Sequence, residues 1–467
     1  MAIITESIEN ENRLNRKIEG FFKTHQIGEI LKQSNAYKSR GIAITRIMAY
    51  LTQLVFTKKS MYMHCKNGTN TAGFGKDTVY RLLNATFINW GTYLLKLAMS
   101  AIKPINAATS EGRRNVLILD DTLYERPRSK KVELLANVYD HAAKTGGKFK
   151  RGFRLLTLGW SDGASFVPLL FRHLSSQEAK NRYAEMDPSI DKRSVGYKAR
   201  LQAVSGATCA LLSMLAQAKK ACVPAAHVLF DSWFSFPSTI IAVCKEGFHV
   251  VARLKDTQKI KYIVDGEPMT LKQIYATNKK RRGRAKCLLS AEALLHGEDG
   301  EALPARIVFV RDRNNRSKWI AFATTDMALT EEEVIQLYGR RWDIEVFFKV
   351  CKSYLNLAGE FHGMSYDGVT AHTAIVMTRY IMLAVDKRQN EDPRSLGELF
   401  YLCYDEMADI PFSKVITTIL DCLHAVLDDC LSLSDEDVKG IIEAFFEKIA
   451  SVFKNGYETF NCIQNTA

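Results

Sequence analysis

The chain has 467 residues, 47% hydrophobic and 25% charged, with 64 Lys and Arg against 51 Asp and Glu for a net charge of +13. That length predicts about two to four structural units, and the composition excludes a low-complexity or coreless chain. Residues 396–467 hold four basic and 13 acidic residues, a net −9, which leaves +22 on the other 395. A body that basic calls for a polyanionic partner, nucleic acid above all. The opening MAIITESIENENRLNRK carries no apolar signal core. No run of about 18 apolar residues suggests a membrane span. Ten cysteines without C-x-x-C pairs or zinc-ligand spacing fit a reduced, cytosolic chain with free thiols.

Residues 1–110 have helix-like apolar spacing and are expected to form a helical DNA-binding domain. Within it, GFGKDTVYRLLNATFINW (73–90) reads as a turn followed by a helix that Asp77 caps. Arg81 would share the outer face with Thr78 and Asn84, as on the second helix of a helix-turn-helix; a capped bundle helix would look the same. From 111 to 255 the pattern alternates. NVLILDD (115–121) is an apolar run ending in carboxylates, expected to be a buried strand that delivers acids at its end. The basic stretch 125–152 reads as an exposed loop or short helix. FRLLTLGWSDGASFVPLLF (153–171) is a hairpin turning at Ser161-Asp162-Gly163. Residues 195–220 are helical, HVLFDSWF (227–234) is a second apolar run ending in an acid, 240–247 a helix and 249–255 a strand.

Residues 256–328 interrupt this order with short strands and the basic cluster NKKRRGRAK (278–286), and are expected to be a β-rich insertion. Residues 329–390 then complete the core with two helices, 331–357 and 367–387. The acidic region 391–467 is expected to be helical. The order gives an α/β fold, a mixed five-stranded sheet flanked by helices.

On the first of those helices Tyr338, Arg341, Glu345 and Lys352 fall within a stripe about 60° wide. Around them the helix is apolar, and a buried carboxylate needs a partner. An ion pair of Glu345 with Arg341 at i,i+4 would satisfy it. Three acids from separate elements suggest more. If the two acid-bearing strands pair, the acids at their ends, Asp120 or Asp121 and Asp231, converge with Glu345, and carboxylates that converge repel without cations. Oxygen-only ligands favour magnesium or manganese over zinc. Two such ions can activate an attacking oxygen and stabilise the leaving oxygen of a phosphodiester.

LDDT at 119–122, VLFDSW at 228–233 and Y-x2-R-x3-E-x6-K at 338–352 together resemble the DDE transposases of bacterial insertion sequences, in the branch related to cut-and-paste hairpin-forming transposases. The resemblance covers about residues 115–385. It implies a ribonuclease-H-like core with a β-rich insertion before the last acid, recognition of terminal inverted repeats, donor cleavage and strand transfer. It implies two Mg2+ or Mn2+ ions held by Asp121, Asp231 and Glu345. Asp121 precedes Thr122 and is the better match for the first acid; Asp120 stands beside it. Tyr338, Arg341 and Lys352 match residues that grip DNA phosphates near the cleaved end. Trp319 resembles a tryptophan that stacks on a base flipped from the transposon end. The implied partner is double-stranded DNA, bound by a homodimer in the bacterial cytosol. A metal-dependent nuclease without strand transfer and a domesticated DNA-binding protein are the alternatives.

Overall fold

A computed structural model describes residues 15–55, 61, 72–109, 113–140, 149–281, 286–297, 300–312, 315, 317–361 and 363–389. The expected acidic helical region 391–467, His362 and part of the basic cluster 278–286 lie outside the described residues. The chain divides into a unit Met1–Pro393 and a unit Arg394–Ala467; all that follows concerns the first.

The sheet grows from β1 (Val116–Glu125), whose first four residues are buried because it is covered on both faces. β3 (Phe149–Ser161) pairs antiparallel with β1 from Val116↔Ser161 to Glu125↔Gly152. β4 (Phe166–Leu174) turns back on β3. The connecting Asp162-Gly163-Ala164-Ser165 loop is held by Asp162 Oδ1, which accepts from the amides of Ala164 and Ser165. On the other side of β1, β5 (His227–Phe230) and β6 (His249–Arg253) run parallel to it and to each other. α5 (Val195–Ala203), α6 (Ala207–Lys220) and α7 (Pro237–Lys245) occupy the crossovers. The five neighbouring strands β4, β3, β1, β5 and β6 form a mixed α/β arrangement consistent with a ribonuclease-H-like core.

Three expectations change. The sheet does not stop at five strands. β11 (Trp319–Thr324) pairs directly with the edge of β6, and β10 (Ala302–Arg311), β9 (Cys287–His296), β7 (Tyr262–Val264) and β8 (Glu267–Met269) continue outward. With β2 (Ala136–Tyr139) on the outer flank of β3 the sheet has 11 strands among the described residues. An uncovered edge strand offers unpaired amides and carbonyls, and the strands after β6 satisfy them, so the β-rich segment extends the sheet. Next, β1 does not end at its acids but runs on to Glu125. Lastly, the stretch 125–152 contributes β2 and the start of β3 rather than only a loop, with 141–148 outside the described residues.

α1 (Ile27–Gln33), α2 (Ile44–Leu54), α3 (Lys76–Leu83) and α4 (Trp90–Ala107) bury apolar faces. Of these N-terminal helices, α4 packs on this sheet and the others pack on helices. α4 lies against β4 and against α11 (Tyr366–Gln389). Asp77 sits in the first turn of α3, while Gly75 takes the cap position. Arg81 is exposed on α3 and its Nε donates to the Asp77 carbonyl at 3.2 Å. Among the described residues one helix, Tyr366–Arg388, is long and apolar enough to cross a membrane; 78% of its most apolar window is buried in the fold. Ion pairs anchor its first turn: Arg200 of α5 contacts Glu133 and Asp367 at 2.6 Å each.

His173 on β4 is buried beneath this helix, 3.1 Å from Thr373 Oγ1. Burial, with His372 and Arg126 nearby, pushes its imidazole down to about 3. Unfolded, it takes a proton near about 6.5. Between those values the unfolded chain binds the extra proton, so stability falls as pH drops through that window. His173→Gln should flatten the slope of unfolding free energy against pH there by up to about 1.4 kcal/mol per pH unit, as read by urea melts. An unchanged slope would remove His173 from the acid sensitivity.

Candidate active site

β5 pairs with β1 only through Ile118↔Leu229 and ends at Phe230. From Asp120 onward that edge of β1 is therefore open, and a cleft of about 510 Å3 occupies the gap. Asp120, Asp121 and Asp231 line it together with Lys150, Arg154, Trp233 and Lys352. Sequence spacing thus places the first two acid-bearing segments correctly as neighbours, with Asp231 in the turn just beyond β5.

Side chains alternate along β1, so the two adjacent aspartates go to different partners. Asp121 shares a face with Arg154, across the β1–β3 ladder, and accepts from its Nε at 2.6 Å and its Nη2 at 2.7 Å. A two-pronged pair of this kind is among the stronger charge-assisted contacts. Asp120 points to the other face, where Arg341 Nη1 donates to it at 2.8 Å. Arg341 also pairs with Glu345. One guanidinium therefore bridges Asp120 and Glu345.

The single long helix expected over 331–357 is two helices, α9 (Glu331–Gly339) and α10 (Trp342–Ser353). Gly339 favours helix poorly, and the next two arginines are drawn different ways: Arg340 donates to the Arg114 carbonyl, Arg341 to Asp120. The turn tightens there, with Arg340 N donating to Leu337 O and Arg341 N to Tyr338 O. Nor is the apolar surround wholly buried, since Trp342 is exposed. The stripe survives the break in altered form. Tyr338 Oη reaches Asp231 Oδ1 at 3.5 Å, at the limit of a hydrogen bond, and its ring packs 4.4 Å from Phe322. Lys352 Nζ donates to Thr122 Oγ1 at 2.7 Å and opens on the cleft.

Proximity shows in the titration. Burial, opposed by Arg341 and reinforced by Asp121 and Glu345, pushes Asp120 up to about 7. Burial also raises Glu345, against the pull of Arg341 and with a further push from Asp231. Burial works against the Arg341 charge, but Tyr338, Asp120, Glu345 and Asp231 outweigh it and hold the guanidinium above the usual arginine range. Burial lowers Lys352. Glu345 is thus an electrostatic neighbour of both Asp120 and Asp231 without lining the cleft itself. The donor set is all oxygen and mutually repulsive, which suits a hard divalent cation. Among the described residues no three acids are close enough to enclose one; Arg154 and Arg341 supply the positive charge between them.

Trp319 is not brought to this cleft. Its ring stacks on Tyr275 at 5.3 Å and meets Phe309 edge-on at 5.0 Å. His372, buried, sits 3.5 Å from Glu360 in the core. Sequence reading missed Arg154, which only strand register carries to Asp121. Trp233 is exposed at the cleft wall.

Residues 46–295 match the family model described as DDE superfamily endonuclease. The chain belongs to this family. The matched span holds Asp120, Asp121 and Asp231 and ends before Glu345. Members of the superfamily generally use divalent metal ions. No curated protein matches the chain. Among solved structures it is similar in part to the Drosophila P element transposase strand transfer complex, at 11% identity over 53% of this chain and 51% of that one, with a TM-score of 0.22. The chain spans about half of that protein, and no residue role is carried over from it.

Arg341→Met should leave Asp120 and Glu345 without their shared donor and cost about 1.5–3 kcal/mol in a denaturant melt. Pairing it with Asp120→Asn should recover part of that loss. Equal stability of Arg341→Met and wild type would mean that the bridge contributes nothing to the fold.

Proposed function

We propose that this DDE superfamily endonuclease is the DNA transposase of a bacterial insertion sequence, cutting and joining DNA by metal-assisted phosphoryl transfer. The observation that carries the proposal is the gathering of acids from β1, the β5 turn and α10 around one open strand edge, within a strongly basic chain. Asp121, Asp231 and Glu345 are the carboxylates assigned to Mg2+ or Mn2+, which when bound would polarise the scissile phosphate and activate the attacking oxygen. Arg341, which bridges Asp120 and Glu345, is assigned to a phosphate of the cut strand, which its guanidinium could hold bidentately. Lys352 already opens on the cleft and contributes a point charge to the backbone. Tyr338, whose hydroxyl lies 3.5 Å from Asp231, is assigned to a phosphate near the cleaved end. Arg81 on α3 is assigned to DNA outside the cleft. Trp319, engaged within the β-rich segment, is assigned to the transposon end only if that segment meets it there. Synapsis of two ends calls for a homodimer on DNA.

A second reading of the first acid has its own support. Asp121 matches the motif, but Asp120 is the residue whose carboxyl is coupled to Glu345. Cleavage of a transposon-end duplex with Mg2+ separates the two. Asp231→Ala should lower the rate by at least about a hundredfold, the size expected when one charge-stabilising group leaves a reaction centre. Asp121→Asn should do the same and Asp120→Asn should not. The reverse pattern moves the assignment to Asp120, and undiminished cutting by Asp231→Ala would sink the proposal. Joined target DNA among the products distinguishes a transposase from a nuclease that stops at cut ends.

A further inference from the structure

A second cavity, of about 330 Å3, lies on the flank of β4 between the start of α4, α5 and the first turn of α11. It shares no lining residue with the cleft of the acids. Arg172 of β4 stands half-buried in its wall. Its Nη1 donates to the Phe171 carbonyl at 2.8 Å, and among the described residues no carboxylate pairs with the guanidinium. Asp367, the acid in the same wall, is taken by Arg200 at 2.6 Å. Burial pulls Arg172 below the usual arginine range, and only the Tyr366 hydroxyl opposes it. A cation withdrawn from water without a counter-charge is costly.

Its position adds to that cost. A Cβ on Gly91 would stand 3.4 Å from Arg172 Nη1, so the guanidinium lies against the first turn of α4. A helix begins at its positive end, which suits an anion and disfavours a cation. No acidic residue occupies that turn. Asn89 Oδ1 accepts from the Thr92 amide, whereas the amides of Trp90 and Gly91 have no partner among the described residues. Trp90, 3% exposed, also lines the cavity, and its Nε1–H has no acceptor. Lys198 of α5 adds a second cation without an acid partner among the described residues. The wall thus collects donors and positive charge from three elements and leaves several of them unanswered. A group that answers such a set accepts hydrogen bonds and carries negative charge. A phosphate does both, and the guanidinium fork can hold it through two parallel bonds.

We propose that this cavity is a phosphate-binding site, with Arg172 as its anchor, Lys198 as a second cation and the start of α4 as the source of backbone amides. Its volume suits one small molecule and not a duplex, so the phosphate belongs to a small phosphorylated compound or is a single group projecting from DNA. The proposal stands apart from the reading of the acid cleft and does not depend on it.

Inorganic phosphate is the probe, titrated by calorimetry into the full chain in EDTA at an ionic strength held constant with chloride. Wild type should bind it. Arg172→Met should bind it at least about tenfold more weakly, as loss of hydrogen bonds from a charged donor predicts. Arg172→Lys keeps the charge without the fork and should fall between the two, and it decides the matter if the methionine variant does not fold. Lys352→Met alters the other cleft and should bind phosphate as wild type does. No binding by wild type, equal affinity in wild type and the Arg172 variants, or a loss in Lys352→Met in place of the Arg172 variants would overturn the proposal. Repeating the titration with saturating duplex DNA identifies the source. Unchanged phosphate binding assigns the cavity to a small phosphorylated compound. Displacement of phosphate, with weaker duplex binding by Arg172→Met, assigns it to a DNA phosphate.

Discussion

Four carboxylates crowd around the place where β5 stops and β1 continues: Asp120, Asp121, Asp231 and, behind them, Glu345. Negative charges at such short range cannot all stay ionised in a partly buried site without positive charge among them. That charge comes from Arg154 on one face of β1 and Arg341 on the other. The fold can be understood as the means of supplying both. β3 carries Arg154 to Asp121 by register, and the break between α9 and α10 turns Arg341 toward Asp120. Each guanidinium supplies there the positive charge that lets the carboxylates sit together.

The site depends on the sheet more than on any helix. β1 must be long enough to project past its parallel neighbour, and its fully buried first half, Val116–Leu119, fixes it in the core so that the second half can stay open. Extension of the sheet from β6 through β11 then stiffens the opposite side, and Phe322 of β11 carries the ring against which Tyr338 packs. The electrostatics of the cleft are thus set by strands far apart in the chain.

What the sequence made legible follows from what is local. The Ser161-Asp162-Gly163 turn and the apolar runs before Asp120 and Asp231 are each written within a dozen residues, and the turn and both strands form there. The positions of the acids along the chain were readable for the same reason. Pairing of β11 with β6 was not, because nothing in KWIAFATTD names its partner across some 65 residues of sequence, and a β-rich stretch reads the same as an insertion or as more of one sheet. The end of β1 was misjudged because two carboxylates look like a stop signal, whereas the open edge lets them sit inside a strand. Arg154 was overlooked since its role arises only from register. The break at Gly339–Arg341 had a local signal, a glycine followed by two arginines, but the heptad-like spacing around it masked the signal.

The proposed function requires these carboxylates to bind a divalent ion. Titration of Mn2+ followed by electron paramagnetic resonance tests it most directly, because it reads binding and not turnover. Wild type should take up Mn2+ at the cleft, while Asp231→Ala and Glu345→Gln should bind it at least about tenfold more weakly, as loss of a ligand or of its support predicts. Uptake by the variants equal to that of wild type, or no uptake by wild type, would contradict the account.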